Sequence, residues 1–324
     1  MYEQFFGLRE RPFDLTPNPR FLVLTVRHRE ALSNLHYGIG SRKGITLVVG
    51  EAGTGKTTLV RAALESQRSR EALCVYVNNP TLSRNEFIEF LADGFALRSA
   101  ARESKAAFLR DLERRLVERA AAGAPTLLVV DEAQSLSHEL LEEVRLLANI
   151  ETSEDKLLPV VLAGQPELAG RLNEPGLRQL KQRVALRCEL EPLTAVETAM
   201  YIATRTRVAG ADHPLFTREA VASIHEHAGG IPRTINVICD NSLVTAFALG
   251  RQPVDRRIVA DVCRDFDLAA AVPRKLEPAV NVAHRQAPSN HGAALRIGQA
   301  APPEGSAVST GVDMAAKRRR LSFF

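Results

Sequence analysis

Residues 50–58 read GEAGTGKTT. Three glycines within six positions leave a backbone nearly bare of side chains, and Lys-Thr-Thr follows at once. Glycine weakens a helix and buries nothing, so this density marks a place that something must approach closely. Gly50, Gly55, Lys56 and Thr57 fit G-x-x-x-x-G-K-[ST]. An apolar run, ITLVV at Ile45–Val49, precedes the glycines, and a helical pattern from Gly55 to Gln67 follows them. Successive N–H groups in a tight loop at a helix N-terminus form an anion site. The expectation is that Gly50, Glu51, Ala52, Gly53, Thr54, Gly55, Lys56, Thr57 and Thr58 cradle a triphosphate. Lys56 would reach the β/γ-phosphates and the Thr57 hydroxyl would meet Mg²⁺. A turn that merely joins strand to helix is the bland alternative; Lys-Thr at this offset argues against it.

A phosphate loop needs a metal holder and a group that activates water. TLLVVDEAQ, Thr126–Gln134, is an apolar strand that ends in acid. Asp131 stands where open α/β sheets bind ligands, at a strand's C-terminal end, and would hold Mg²⁺. Glu132, on the other side of that strand, would polarise the attacking water. Acids at strand ends are also often just solvated; the upstream loop gives this pair its meaning. LLPVVLAGQ ends in Gln165, whose amide either contacts the γ-phosphate and the nucleophile or caps the helix that begins at Pro166. Arg183, before the fifth strand-like run, and Arg233, opening a helix, carry the planar fork that suits phosphate. With 42 Lys and Arg in the chain, residue type alone does not single them out.

Around these motifs, apolar runs at 45–49, 74–79, 126–134, 157–165 and 184–190 alternate with helical patterns at about 27–37, 55–67, 84–97, 105–121 and 137–149. Strands apolar throughout are covered on both faces, and helical crossovers make the sheet parallel. After Pro192 the strands stop. Helical patterns at 195–209, 217–227, 232–249 and 255–266 make a small all-helical unit, opened by the capping box Thr194/Glu197. Residues 1–19 read as irregular, with TPNP as turn chemistry. From about 268 the chain is rich in Pro, Ala, Gly and Ser, reads as disordered and ends in a basic run, Lys317–Arg320.

The 324 residues carry 45% hydrophobic and 25% charged side chains and a formal charge of +4, an ordinary globular balance that does not demand an anionic partner. Cys74, Cys188, Cys239 and Cys263 form no CxxC pair, which argues against a zinc or thioredoxin-type site. The N-terminus lacks a signal-type apolar run, and no stretch reaches the ~18 apolar residues of a membrane span. A cytoplasmic protein, peripheral at the inner membrane, is expected.

The whole string resembles an AAA+ ATPase, and within that group the general secretion pathway protein A family and its transposition-ATPase relatives. The residues that carry the likeness are FFGLRERPFDLTPNPRFLVLTVRHREALSNLHYGI, GEAGTGKTT, VVDEAQSL, LAGQPEL, LKQRV and GGIPRTINVICDNSL. The resemblance implies an α/β P-loop fold with a parallel five-stranded sheet flanked by helices, followed by a helical lid. Its parts would be an entry segment flanking the adenine (1–26), a nucleotide-binding domain (27–192), a lid (193–267) and a tail (268–324). ATP and Mg²⁺ would be the cofactors. Gln165 would be the sensor of the γ-phosphate, Arg183 the finger reaching a neighbour's nucleotide, with Arg178 its competitor, and Arg233 the sensor of the lid. The partners implied are further copies of the chain, assembled on an envelope or membrane-bound protein, with nucleic acid less favoured. Turnover would drive assembly or remodelling of a secretion, pilus or polysaccharide-export system; a DNA-associated transposition-type regulator is the alternative.

Overall fold

The computed structural model describes residues 1–268 apart from positions 17, 68–71, 79–80 and 154. The expected tail lies, from residue 269 on, outside the described residues, as do Pro17 and Asn79. Five strands form one parallel sheet: β1 (Ile45–Gly50), β2 (Leu73–Val77), β3 (Thr126–Val130), β4 (Val160–Gly164) and β5 (Val184–Leu190), in the order β2-β3-β4-β1-β5. β4 is thus inserted between β1 and β3, pairing Ile45 with Val160 on one side and Leu128 with Val160 on the other. The ends of β1, β4 and β3 therefore stand side by side at one sheet edge.

Alternate residues of each strand serve opposite layers, the period-2 rule of a pleated strand. Ile45, Leu47, Val49, Leu128, Val130, Val160 and Leu162 join one core, together with α4 (Arg84–Gly94), α6 (Lys105–Ala121) and α7 (His138–Leu147). Val48, Leu127, Val129, Val161 and Ala163 join the other, with α2 (Val26–Gly40) and α3 (Lys56–Gln67). This explains why the strands read as unbroken apolar runs. Short pieces complete this half: α5 (Ala100–Glu103), α8 (Pro166–Arg171) and α9 (Arg178–Gln182).

The helical half contains α10 (Ala195–Val208), α11 (Arg218–Ala228), α12 (Pro232–Ala248) and α13 (Arg256–Asp265). Thr194, Thr217 and Asp255 cap three of these four helices through their side chains, and Thr194 with Glu197 closes the expected capping box.

The entry segment corrects one expectation. It contains α1 (Tyr2–Phe5), and Tyr2, Phe6, Leu8, Phe13 and Phe21 are buried in the same core as Ile202, Ile224, Ile238 and Val259 of the helical half. Read alone, the segment shows no periodicity, because its apolar residues face a surface built far along the chain.

Candidate functional site

The glycine-rich loop leaves β1 at Gly50 and enters α3 at Lys56. Gly53 (φ 83°) and Gly55 (φ 98°) lie in the left-handed region that side chains disfavour. At Gly53 there is a second constraint: a Cβ would come within 2.6 Å of Arg233 Cβ. Lys56 is 4% exposed, and its Nζ donates to the carbonyls of Gly50 (2.8 Å) and Glu51 (3.0 Å). No carboxylate forms an ion pair with it among the described residues. Burial lowers its pKa, while Glu132 and then Asp131 pull the other way. An ammonium has three donors, so Lys56 retains one for an anion. A buried cation beside converging amides fits a phosphate chain.

The Thr57 hydroxyl donates to Asp131 Oδ2 at 2.7 Å, so the two residues expected to serve Mg²⁺ already touch. Their oxygen donors suit that hard cation. Tyr76 donates to the same oxygen at 2.7 Å, and burial, then the bond to Asp131, raise its phenol far above the usual range. Tyr76's role was hidden in the sequence because β2 and β3 become neighbours only in the sheet.

Glu132 is not on a strand face, contrary to the sequence reading. β3 ends at Val130, and Glu132 adopts a left-handed φ of 51° before the 3-10 turn Ala133–Ser135. Backbone curl aims it into the cleft. Gln165 stands at the end of β4 as the N-cap residue of α8, yet its side chain makes no capping hydrogen bond. Gln165 thus holds the cap position through its carbonyl, which accepts the Leu168 N–H at 3.0 Å, and not through its amide.

A cleft of about 330 Å³ is lined by the glycine loop, Lys56, Thr57 and Glu132, but not by Tyr76, Asp131 or Gln165. Gly53–Thr58, Glu132 and Arg233 line one end; Gly50 and Glu51 lie behind it, holding Lys56, and Ala52 is exposed outside the lining. Arg233 is the second residue of α12, and its N–H donates to the Gly53 carbonyl at 3.2 Å, so the helical half touches the loop directly. The other end is lined by Asp14, Phe21, Val23, Tyr201, Arg205 and Asn236.

Arg205, on α10, organises that far end. It is 8% exposed and donates from Nε to the Pro12 carbonyl (2.5 Å) and from Nη1 to the Tyr201 hydroxyl (2.8 Å), which donates on to Asn236 Oδ1 (2.9 Å). The faces of Phe21 (5.0 Å), Tyr201 (5.3 Å) and Phe13 (6.0 Å) surround its guanidinium. His28 lines the cleft beside the loop. Thr25 caps α2 by accepting the His28 N–H, its hydroxyl lies 2.8 Å from His28 Nδ1, and Nε2 faces the Thr54 carbonyl at 3.4 Å. Burial holds this imidazole below its ordinary range. Neither residue was singled out in the sequence; a histidine three positions after a capping threonine was the available signal for His28.

Of the expected catalytic residues, Gln165 and Arg183 do not line the cleft, and Arg183 stands at the opposite end of the sheet. It precedes β5, and its carbonyl accepts the Ile45 N–H at the start of β1. The loop begins at the opposite end of β1, roughly 16–20 Å away at ~3.3 Å per residue. Arg183 and Arg178 are both exposed, and neither lines the cleft.

The strand order, the loop between β1 and α3 and the helical half define a P-loop protein of the AAA+ class, to which this chain belongs. The AAA domain family matches residues 39–172. By sequence the chain is similar to general secretion pathway protein A of Aeromonas hydrophila, 45% identical over 255 residues. That alignment covers 78% of this chain and 46% of the relative, so the chain spans about half the relative's length. Similar solved structures are the Aeropyrum pernix ORC2 protein (TM-score 0.61, 18% identity, 82% of this chain and 74% of that one) and Cdc6p from Pyrobaculum aerophilum (0.62, 19%, 78% and 70%). At these identities the likeness is one of fold. The resemblance read from the sequence is borne out in class and in relative.

Proposed function

We propose that the chain binds ATP with Mg²⁺ and hydrolyses it, and that turnover drives assembly or remodelling of an envelope export machine. The observation that carries this reading is the cleft itself: one wall is the glycine loop with Lys56, the other is the start of α12 with Arg233. A ligand held there touches both halves. Gly50–Thr58 would bind the triphosphate through main-chain N–H groups, and Lys56 would add its free N–H to the β/γ-phosphates. Thr57 and Asp131 would hold Mg²⁺, which when bound neutralises charge on those phosphate oxygens. Glu132 would take the proton of the attacking water, with Gln165 and Arg233 reading the γ-phosphate from the sheet and the helical half. Arg183, too far from its own loop, suits a neighbour's site, so the active form would be an oligomer of this chain. The link to export draws on the relative named for the general secretion pathway. Among the described residues no helix is long and apolar enough to cross a membrane. The docked partner would be an envelope or membrane-bound protein.

The test is ATPase rate against protein concentration, with Arg183→Ala mixed into Lys56→Ala. Each variant alone is expected to be inactive, and the mixture to recover turnover through shared sites. Activity independent of concentration, with an unimpaired Arg183→Ala, would overturn the oligomeric part. Glu132→Gln is expected to keep ATP binding and lose about 10²–10⁴ in rate, the usual range for a general base. The alternative, a DNA-associated regulator, rests on the basic run Lys317–Arg320. It predicts DNA binding that weakens steeply with salt.

A further inference from the structure

Gln134 follows Glu132 by two residues, in the turn Ala133–Ser135. Its Oε1 accepts the Gln165 backbone N–H at 3.0 Å, and its Nε2 donates to Glu132 Oε2 at 2.7 Å. The pair of bonds fixes which end of the amide is which. Reversed, its oxygen would face a carboxylate and its NH₂ would face an N–H, with no bond at either end. The surroundings are shaped for this side chain. A Cβ at Gly164 would come within 2.9 Å of Gln134 Oε1, so the last residue of β4 must be bare for the amide to enter. From the other side Arg171 donates to the carbonyls of Gln134 (2.6 Å) and Leu136 (2.7 Å), pinning the turn. Glu132 itself holds a left-handed φ of 51°, a conformation that persists where neighbours over-determine it.

We propose that Gln134 is a positioning residue: it ties the carboxylate of Glu132 to the end of β4, so that a displacement of Gln165 is carried to Glu132 through one side chain. The proposal rests on the reading of Glu132 as the base and Gln165 as the reader of the γ-phosphate. The base would then be set in place by the same strand end that meets the phosphate. The tie is short, Gln165 N–H to amide to carboxylate, and crosses from the end of β4 to the turn after β3.

Two variants separate its bonds. Gln134→Glu keeps an acceptor for the Gln165 N–H but loses the donor and sets a second anion against Glu132. Gln134→Met keeps the volume and loses both bonds. Each is expected to lower kcat by about 10- to 100-fold, the cost of a misplaced catalytic group, while KM for ATP stays within about twofold and the melting temperature within a few degrees. An unchanged or raised kcat in either variant, or a KM that rises in step with the loss of rate, would overturn the proposal. The tie also has a readout that needs no turnover. In the full chain, the Gln134 side-chain ¹⁵N–H₂ resonances should shift in Glu132→Gln and stay in place in Arg183→Ala. Resonances indifferent to Glu132→Gln would overturn the tie. A parent chain with no ATPase activity at any concentration would overturn the proposed function instead, and the amide resonances would still decide the tie.

Discussion

The two ends of the cleft are built in opposite ways. The phosphate end is almost one uninterrupted stretch, Gly50–Thr58, whose chemistry lies in its own main chain and one buried ammonium. The far end is assembled from three separate pieces: the segment around Asp14–Val23, the α10 residues Tyr201 and Arg205, and Asn236 on α12. Arg205 and Pro12, bonded there, are 193 positions apart. The first end depends on local geometry, the second on the folding of the helical half. A ligand's anionic part and its base would therefore report on different regions of the molecule.

Substitutions at each end sharpen that contrast. Lys56→Ala should act most strongly, weakening ATP and inorganic triphosphate alike by about 100-fold as a charged hydrogen-bonding group is lost; calorimetry with both ligands measures it. Gly53→Ala comes next. Its Cβ meets Arg233 and its φ is left-handed, so the loop and α12 are forced apart. Both ligands should again weaken together, by about 10- to 30-fold, the equivalent of ~1.4–2 kcal/mol of strain. Arg205→Met should separate the ends. ATP should weaken by about tenfold, triphosphate should be unchanged, and urea unfolding should lose about 2 kcal/mol because the Pro12 carbonyl is left buried without its donor. Equal effects on both ligands would erase the distinction drawn here.

The smallest effect concerns His28, beside the loop. Burial lowers His28 below its ordinary value near 6.5, against the weaker pull of the Thr54 carbonyl and of Glu197. A depressed imidazole binds fewer protons folded than unfolded between its folded value and about 6.5, so its contribution is complete above that pH and is lost as pH falls below it. The melting temperature of the parent should therefore drop more between about pH 7 and pH 5.5 than that of His28→Gln. Parallel curves would show that His28 does not feel the burial drawn here.

What the sequence made legible follows the same division. The loop could be read because glycine, lysine and threonine sit in one run, and Asp131 because it ends an apolar strand. The helical half could be read from its helical periodicity and from the Thr194/Glu197 capping box that opens it. Tyr76 and the Gln134 link to β4 could not, since Tyr76 meets Asp131, and Gln134 the Gln165 N–H, only when strands apart in sequence lie side by side. The burial of Phe6, Phe13 and Phe21 was equally hidden, because nothing local distinguishes rings awaiting a helical surface from rings in a loose arm. Glu132 was expected on a strand face and stands instead ahead of a turn; its left-handed backbone is a property of that turn, not of residue type.

The long separation of Pro12 from Arg205 also bears on biosynthesis. At ~5–20 residues per second, the ribosome adds α10 roughly ten to forty seconds after the rings of Phe6, Phe13 and Phe21 have been made. Until then those rings have no helical surface to cover them, and a growing chain must be shielded from its neighbours at this end first. The cleft waits longer still, until α12 has added Arg233 and Asn236 to its lining.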